Sequence, residues 1–261
     1  MHVFDPNIAI AGLAVGFLVG LTGMGGGALM TPLLIFLFGV PPGTAVATDL
    51  FKGIITKGAG AIQHLRQGTV DLKATFQLAK GSLPGALLGG ALLFWVGRHA
   101  SPQAVDAFVL PALGFTLILA GGGILFGTRR LRGPDSEEQA QTPPAARRTL
   151  VYGGGVIGFL VALTSVGAGS LGIALMGFTR RVPGRKLVGT DLLHGFILVT
   201  VATLAAHSWA GRIDFPLAVN LLVGTIPGAI IGSRLCAKTP VPVLQPILAL
   251  MLMATGFGFL L

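Results

Sequence analysis

The chain has 261 residues, 52% of them hydrophobic and only 10% charged, with a mean hydropathy of +0.83. Those values exclude an ordinary soluble domain and point to an all-α integral membrane protein. The net charge of +9 falls in short clusters between apolar runs, and with two Trp and one Tyr this is a membrane-orientation pattern, not a nucleic-acid surface.

The first seven residues, MHVFDPN, carry no Lys or Arg, so no cleaved leader is expected. Two apolar runs follow, IAIAGLAVGFLVG and ALMTPLLIFLFG, each too short to cross a bilayer and separated by TGMGGG at 22–27. Unwound backbone at membrane depth is tolerated only where protein or a water-filled cavity covers it, so this break should face inward. Glycines let successive N–H groups converge, and a helix starting near Ala28 aims its positive end at the same place. Thr22, Gly25, Gly26 and Gly27 are therefore candidate anion ligands; the bland reading is a tight helical hairpin. The same glycines satisfy a dinucleotide-binding spacing, but a run of helical length precedes them and no alternating strands and helices follow.

The next segment, VATDLFKGIITKGAGAIQH, reads as a helix with Asp49, Lys52, Gly53, Thr56, Gly60 and Gln63 on one small and polar stripe. Charges within a span are costly and should face the interior. Lys52 is expected to meet an anion, and Asp49 either to couple protons or to hold a structural pair. Lys57 falls off this stripe and is left out of the site. Windows 75–97 and 104–126 are each about 20 mostly apolar residues, enough to span. Residues 127–148 mix both charge signs with prolines, the composition of a solvated linker.

The second half repeats the first. GFLVGLTGMGGGAL from Gly16 matches GFLVALTSVGAGSL from Gly158, and ATDLFKG matches GTDLLHG, both at an offset of 142. One residue later in register, GSLPGALLGG matches GTIPGAIIGS. The chain thus divides into a first transmembrane repeat (1–126), the linker (127–148) and a second repeat (149–261). Thr164, Ser165, Gly167 and Gly169 join the candidate ligands, with a second helix starting near Ser170; Asp191 stands for Asp49 and His194 for Lys52. His194 suits proton coupling because it titrates near physiological pH. His64 and His207 match near a loop and are expected at an interface; Pro84 and Pro227 are expected to kink the third segment. Small-residue motifs at Gly85–Gly89 and Gly228–Gly232 suit close helix packing.

Charge tests the orientation of the repeats. With each broken pair re-entrant and three full spans after it, one side receives Arg66, Lys73, the linker arginines, Arg180, Arg181, Arg185, Lys186, Arg234 and Lys238, and the other Arg98 and Arg212, 13 against 2. Four ordinary spans per half would give 8 against 7. The positive-inside rule favours inverted repeats with a cytoplasmic linker and both termini outside. Inverted repeats broken by glycine at matching places point to a secondary transporter with its site between the repeats.

These motifs resemble the TauE/SafE sulfite exporter family, also called the 4-toluene sulfonate uptake permease family. The likeness rests on GFLVGLTGMGGGALMTPLL with VATDLFKGIITKGAGAIQH, on GFLVALTSVGAGSLGIALM with VGTDLLHG, and on LPGALLGG and IPGAIIGS. It implies an inner-membrane carrier of sulfite, sulfonates or other sulfur-containing organic anions, coupled to protons, with the Gly-rich breaks as the substrate region. The second copy departs from it at Ser165, Val166 and Ala168, so the halves are expected to contribute unequally. Partners are then a small anion, protons and the bilayer, with a homodimer left open, and no cofactor, metal or catalytic residue is expected. The rival readings are a passive anion channel using the same donors, and an intramembrane enzyme, for which no nucleophile–base or metal constellation is visible.

Overall fold

The computed structural model describes residues 5–22, 26–130, 144–179, 182, 184–207, 213–236 and 241–261; Gly25 and the middle of the linker, 131–143, lie outside them. All regular structure among the described residues is helical: α1 (Pro6–Thr22), α2 (Gly27–Phe38), α3 (Pro42–Arg66), α4 (Leu72–His99), α5 (Pro102–Arg130), α6 (Pro144–Thr164), α7 (Ser170–Thr179), α8 (Gly184–Ala202), α9 (Phe215–Cys236) and α10 (Val241–Gly258). A π-helical turn, Thr203–His207, continues α8. Five helices, α4, α5, α6, α8 and α9, hold stretches long and apolar enough to cross a membrane, while α1, α2 and α7 are shorter apolar pieces.

Local chemistry sets the ends. Gly39 closes α2 in the left-handed region, which a residue with a Cβ adopts at a cost, and Pro41 and Pro42 start α3 at once. Asp71 caps α4 by accepting the Ala74 N–H at 3.0 Å, and Asp214 caps α9 by accepting the Leu217 N–H at 2.9 Å. Pro84 and Pro227 lie within the continuous helices α4 and α9.

The halves interlock. In α4, a methyl added at Gly81 or Gly85 would strike the carbonyl oxygen of Val151 or Gly155 on α6, and Gly89 faces the Phe159 carbonyl. Gly224, Gly228 and Gly232 of α9 meet the carbonyls of Ala9, Leu13 and Phe17 on α1 in the same way. Both crossings run parallel, and the stripes correspond residue for residue across the repeat. Backbones this close require glycine and gain dispersion contacts that lipid cannot replace. By contrast α3 packs antiparallel on α8, with Gly53 against Val199 and Gly60 against Leu192, and α5 packs antiparallel on α10, with Gly114 against Gly256.

Hydrogen bonds between helix starts define two ends of the bundle. At one end the Asp5 N–H donates to Asn220 Oδ1 (2.9 Å), the Gly43 N–H to Asp106 Oδ1 (2.9 Å) and the Asp214 N–H to Thr48 Oγ1 (3.1 Å). At the other the Asp71 N–H donates to Thr190 Oγ1 at 2.9 Å, the counterpart of the Asp214–Thr48 bond. Thus α1 and α3 start at the same end, and α2, which α3 follows after three residues, ends there too.

Candidate functional site

The second break is sealed in protein: every residue from Val161 to Ser170 is buried. Its backbone leaves the helix at Ser165, which has φ 62°, a left-handed conformation that disfavours a residue with a side chain by roughly 1–2 kcal/mol. Thr164 steadies the turn, its Oγ1 donating to the Leu160 carbonyl at 2.7 Å and accepting the Val166 N–H at 3.2 Å. Gly167 follows with φ 112°, and its carbonyl accepts the Leu171 N–H at 3.1 Å as α7 begins.

That strained residue touches the first break. Ser165 Oγ donates to Asp49 Oδ2 at 2.7 Å, and Thr31 Oγ1 of α2 reaches the same oxygen at 3.3 Å. A methyl at Gly27 would strike the Ser165 carbonyl and come within 3.0 Å of Asp49 Oδ2. Asp49 Oδ1 forms an ion pair with Lys52 Nζ at 2.7 Å, both side chains being 2% exposed. Beyond this pair Lys52 Nζ has no hydrogen-bond acceptor among the described residues. A methyl at Gly26 would sit 3.4 Å from Lys52 Nζ, so the ammonium lies against the start of α2. Gly27, Asp49, Lys52 and Ser165 are thus brought together; Gly25 lies outside the described residues and nothing is assigned to the Thr22 side chain.

The corresponding groups of α8 are arranged differently. His194 turns from Asp191 to α4, its Nε2 lying 2.8 Å from Ser82 Oγ, and its Nδ1 has no partner among the described residues. Asp191 Oδ1 is buried without a donor among them, facing Gly172 of α7, where any methyl would strike it. Gly169 lies in the sealed stretch, its carbonyl accepting the Ile173 N–H at 3.1 Å.

Lys57, set aside by the stripe on α3, is buried, and its Nζ donates to the Ala168 carbonyl of the second break at 3.4 Å. The buried face of α3 lies further round than the polar stripe: Val46, Leu50, Gly53, Lys57 and Ala61 follow i, i+4, i+7, i+11 and i+15, whereas Gln63 is exposed. That apolar periodicity was the available signal. Among the described residues no group of three or more metal-ligating side chains is present.

Membrane-length apolar helices enclosing paired and unpaired charges, with two broken helical pairs meeting among them, define a multi-pass membrane transport protein. The family model for "Sulfite exporter TauE/SafE" matches residues 8–259, and the chain belongs to that family. It is 41% identical over 252 residues to "Probable membrane transporter protein YjnA" of Bacillus subtilis (strain 168), spanning 96% of this chain and 97% of that one. It is 24% identical to "Probable membrane transporter protein YdhB" of the same organism, over 88% of this chain and 90% of the relative. A "Probable membrane transporter protein" of Xylella fastidiosa (strain Temecula1) is 27% identical over 87% of this chain and 83% of its own. No solved structure matches.

Proposed function

We propose that the chain is a secondary transporter moving sulfite, a sulfonate or another sulfur-containing organic anion across the inner membrane by alternating access, coupled to protons. The observation that carries this reading is the meeting of the two breaks at Asp49: Ser165 of one half binds its carboxylate while Gly27 of the other abuts the Ser165 carbonyl. A site held by both halves is one that a relative movement of the halves would open to either side in turn. The parallel α1–α9 and α4–α6 crossings, with antiparallel α3–α8 and α5–α10, support an inverted relation, because a two-fold axis across the helices sets self-matched helices antiparallel.

Lys52 supplies the positive charge that offsets dehydration of an incoming anion, with hydroxyls and amides of the breaks as further donors. Asp49 holds Lys52 until the anion competes for it. Asp191 and His194 are the protonatable groups for coupling. Radiolabelled sulfite uptake into proteoliposomes tests this: Lys52→Gln and Ser165→Gly should each lower flux by about tenfold, the scale of one lost charge-assisted hydrogen bond. Wild-type flux in both variants would overturn the site.

A further inference from the structure

Lys57 belongs to α3 of the first half but serves the break of the second. Its ammonium, on a side chain 8% exposed, has one acceptor among the described residues, the Ala168 carbonyl at 3.4 Å. Gly195 of α8 makes room beside it, since a methyl there would approach Nζ to 3.0 Å. Around that point lie donors without acceptors. The amides of Gly167, Ala168, Gly169 and Ser170 find none among the described residues. Ser170 Oγ, on a residue 2% exposed, has no partner there either. An ammonium, a hydroxyl and successive amides at the positive end of the ten-residue α7 suit a group that only accepts hydrogen bonds, which an oxyanion does.

One neighbour opposes an anion. Asp191 lies one helical turn before Gly195 on the same face of α8, and among the described residues it lacks the ion pair that neutralises Asp49. Two like charges in so dry a place repel strongly, and a proton on Asp191 removes the repulsion. The other groups around it are His194 on its own helix, turned to the Ser82 hydroxyl of α4, and Lys52 with Asp49 on α3, already paired with each other. Lys80 of α4 and Arg147 and Arg148 near the start of α6 are exposed, and α7 presents Gly172.

Resting on the transporter reading above, we infer that Lys57, Ser170 and the amides of Gly167–Ser170 hold the anion at the second break, and that it arrives with one proton carried on Asp191. The proton comes from water on the loading side, forms an O–H bond with the Asp191 carboxylate, and leaves to water on the other side when the anion leaves. Lys57, freed by the anion's departure, then faces the ionised Asp191, so the emptied site keeps its charge balanced.

The purified full-length protein in proteoliposomes gives two readouts, counterflow of radiolabelled sulfite and sulfite-driven proton movement followed by an entrapped pH dye. Lys57→Gln should lower both by about tenfold and Lys57→Arg should restore part of each, because a second cation keeps the charge. Asp191→Asn should lose proton movement, whatever counterflow it retains. Lys57→Gln with unchanged counterflow, or Asp191→Asn that still moves protons with sulfite, would overturn the inference. If Lys52→Gln is silent as well, the transporter site itself is wrong; if Lys52→Gln loses transport while Lys57→Gln does not, only this inference is. Should Lys57→Gln not elute as folded protein, the proton movement of Asp191→Asn decides. A wild-type chain that moves neither sulfite, thiosulfate nor methanesulfonate overturns both.

Discussion

The two breaks are copies in sequence and opposites in electrostatics. Around the first, Asp49 is saturated: Lys52 pairs with one oxygen while Ser165 and Thr31 bind the other. Around the second, Asp191 Oδ1 lacks a partner among the described residues, and His194, which replaces Lys52, has turned to Ser82. The hydroxyl that matches Ser82, Thr225 Oγ1 of α9 in the second half, has no partner among the described residues, and Lys52, the counterpart of His194, stays with Asp49. A duplicated unit thus holds one carboxylate in an ion pair and leaves Oδ1 of the other without a partner among the described residues.

The largest expected effect breaks that contrast at its paired side. Asp49→Asn leaves Lys52 buried without its counter-ion and should destabilise the protein by about 3–5 kcal/mol, read as a lowered midpoint of thermal unfolding in detergent. Asp191→Asn removes no close ion pair of the Asp49–Lys52 kind among the described residues and should cost less than Asp49→Asn. Equal losses in the two variants would erase the distinction. Next in size, Ser165→Gly removes a hydrogen bond to a charged group, worth about 1.5–3 kcal/mol, partly offset because glycine relieves the left-handed strain. The change to Ala should therefore be worse than the change to Gly, and the reverse order would argue against the strained turn.

Smaller effects sharpen the symmetric part of the molecule. Gly85→Ala and Gly228→Ala each push a methyl into a facing carbonyl and should cost a similar amount, about 1–3 kcal/mol. A large difference between them would mean that the α4–α6 and α1–α9 crossings are not equivalent. Ser82→Ala should be mildest, about 0.5–1.5 kcal/mol for one buried hydrogen bond, and the same thermal measurement ranks it.

Much of this was legible in the sequence because membrane proteins write their constraints in composition. The apolar runs gave the helices, the glycine runs gave the places where α1 and α6 stop, and the constant offset named Asp49 with Asp191 and Lys52 with His194. The site's cross-connections were not legible. Ser165 aligns with Gly23 and reads as a hydroxyl donor for an anion, yet its hydroxyl reaches Asp49 in the other half. Ser82 stood out only as part of the repeated GSLPGALLGG segment, and the approach of α4 to α8 brings it to His194. The burial of Lys57 was hidden for a local reason: it lies off the polar stripe of α3, on the line of Val46, Leu50 and Ala61 that packs inward. Contacts between halves depend on how helices far apart in sequence cross, which no spacing within one helix records.

The account depends most on the two halves lying in the bundle with opposite orientation. The direct measurement is labelling of single cysteines by a membrane-impermeant thiol reagent in right-side-out and inside-out vesicles, with Cys236→Ser as background and Ser136→Cys in the linker or Leu261→Cys at the carboxyl end. Opposite faces for the two positions are predicted, with Ser136→Cys labelled only in inside-out vesicles. Labelling of both from the same face would contradict the inverted arrangement and remove the shared site.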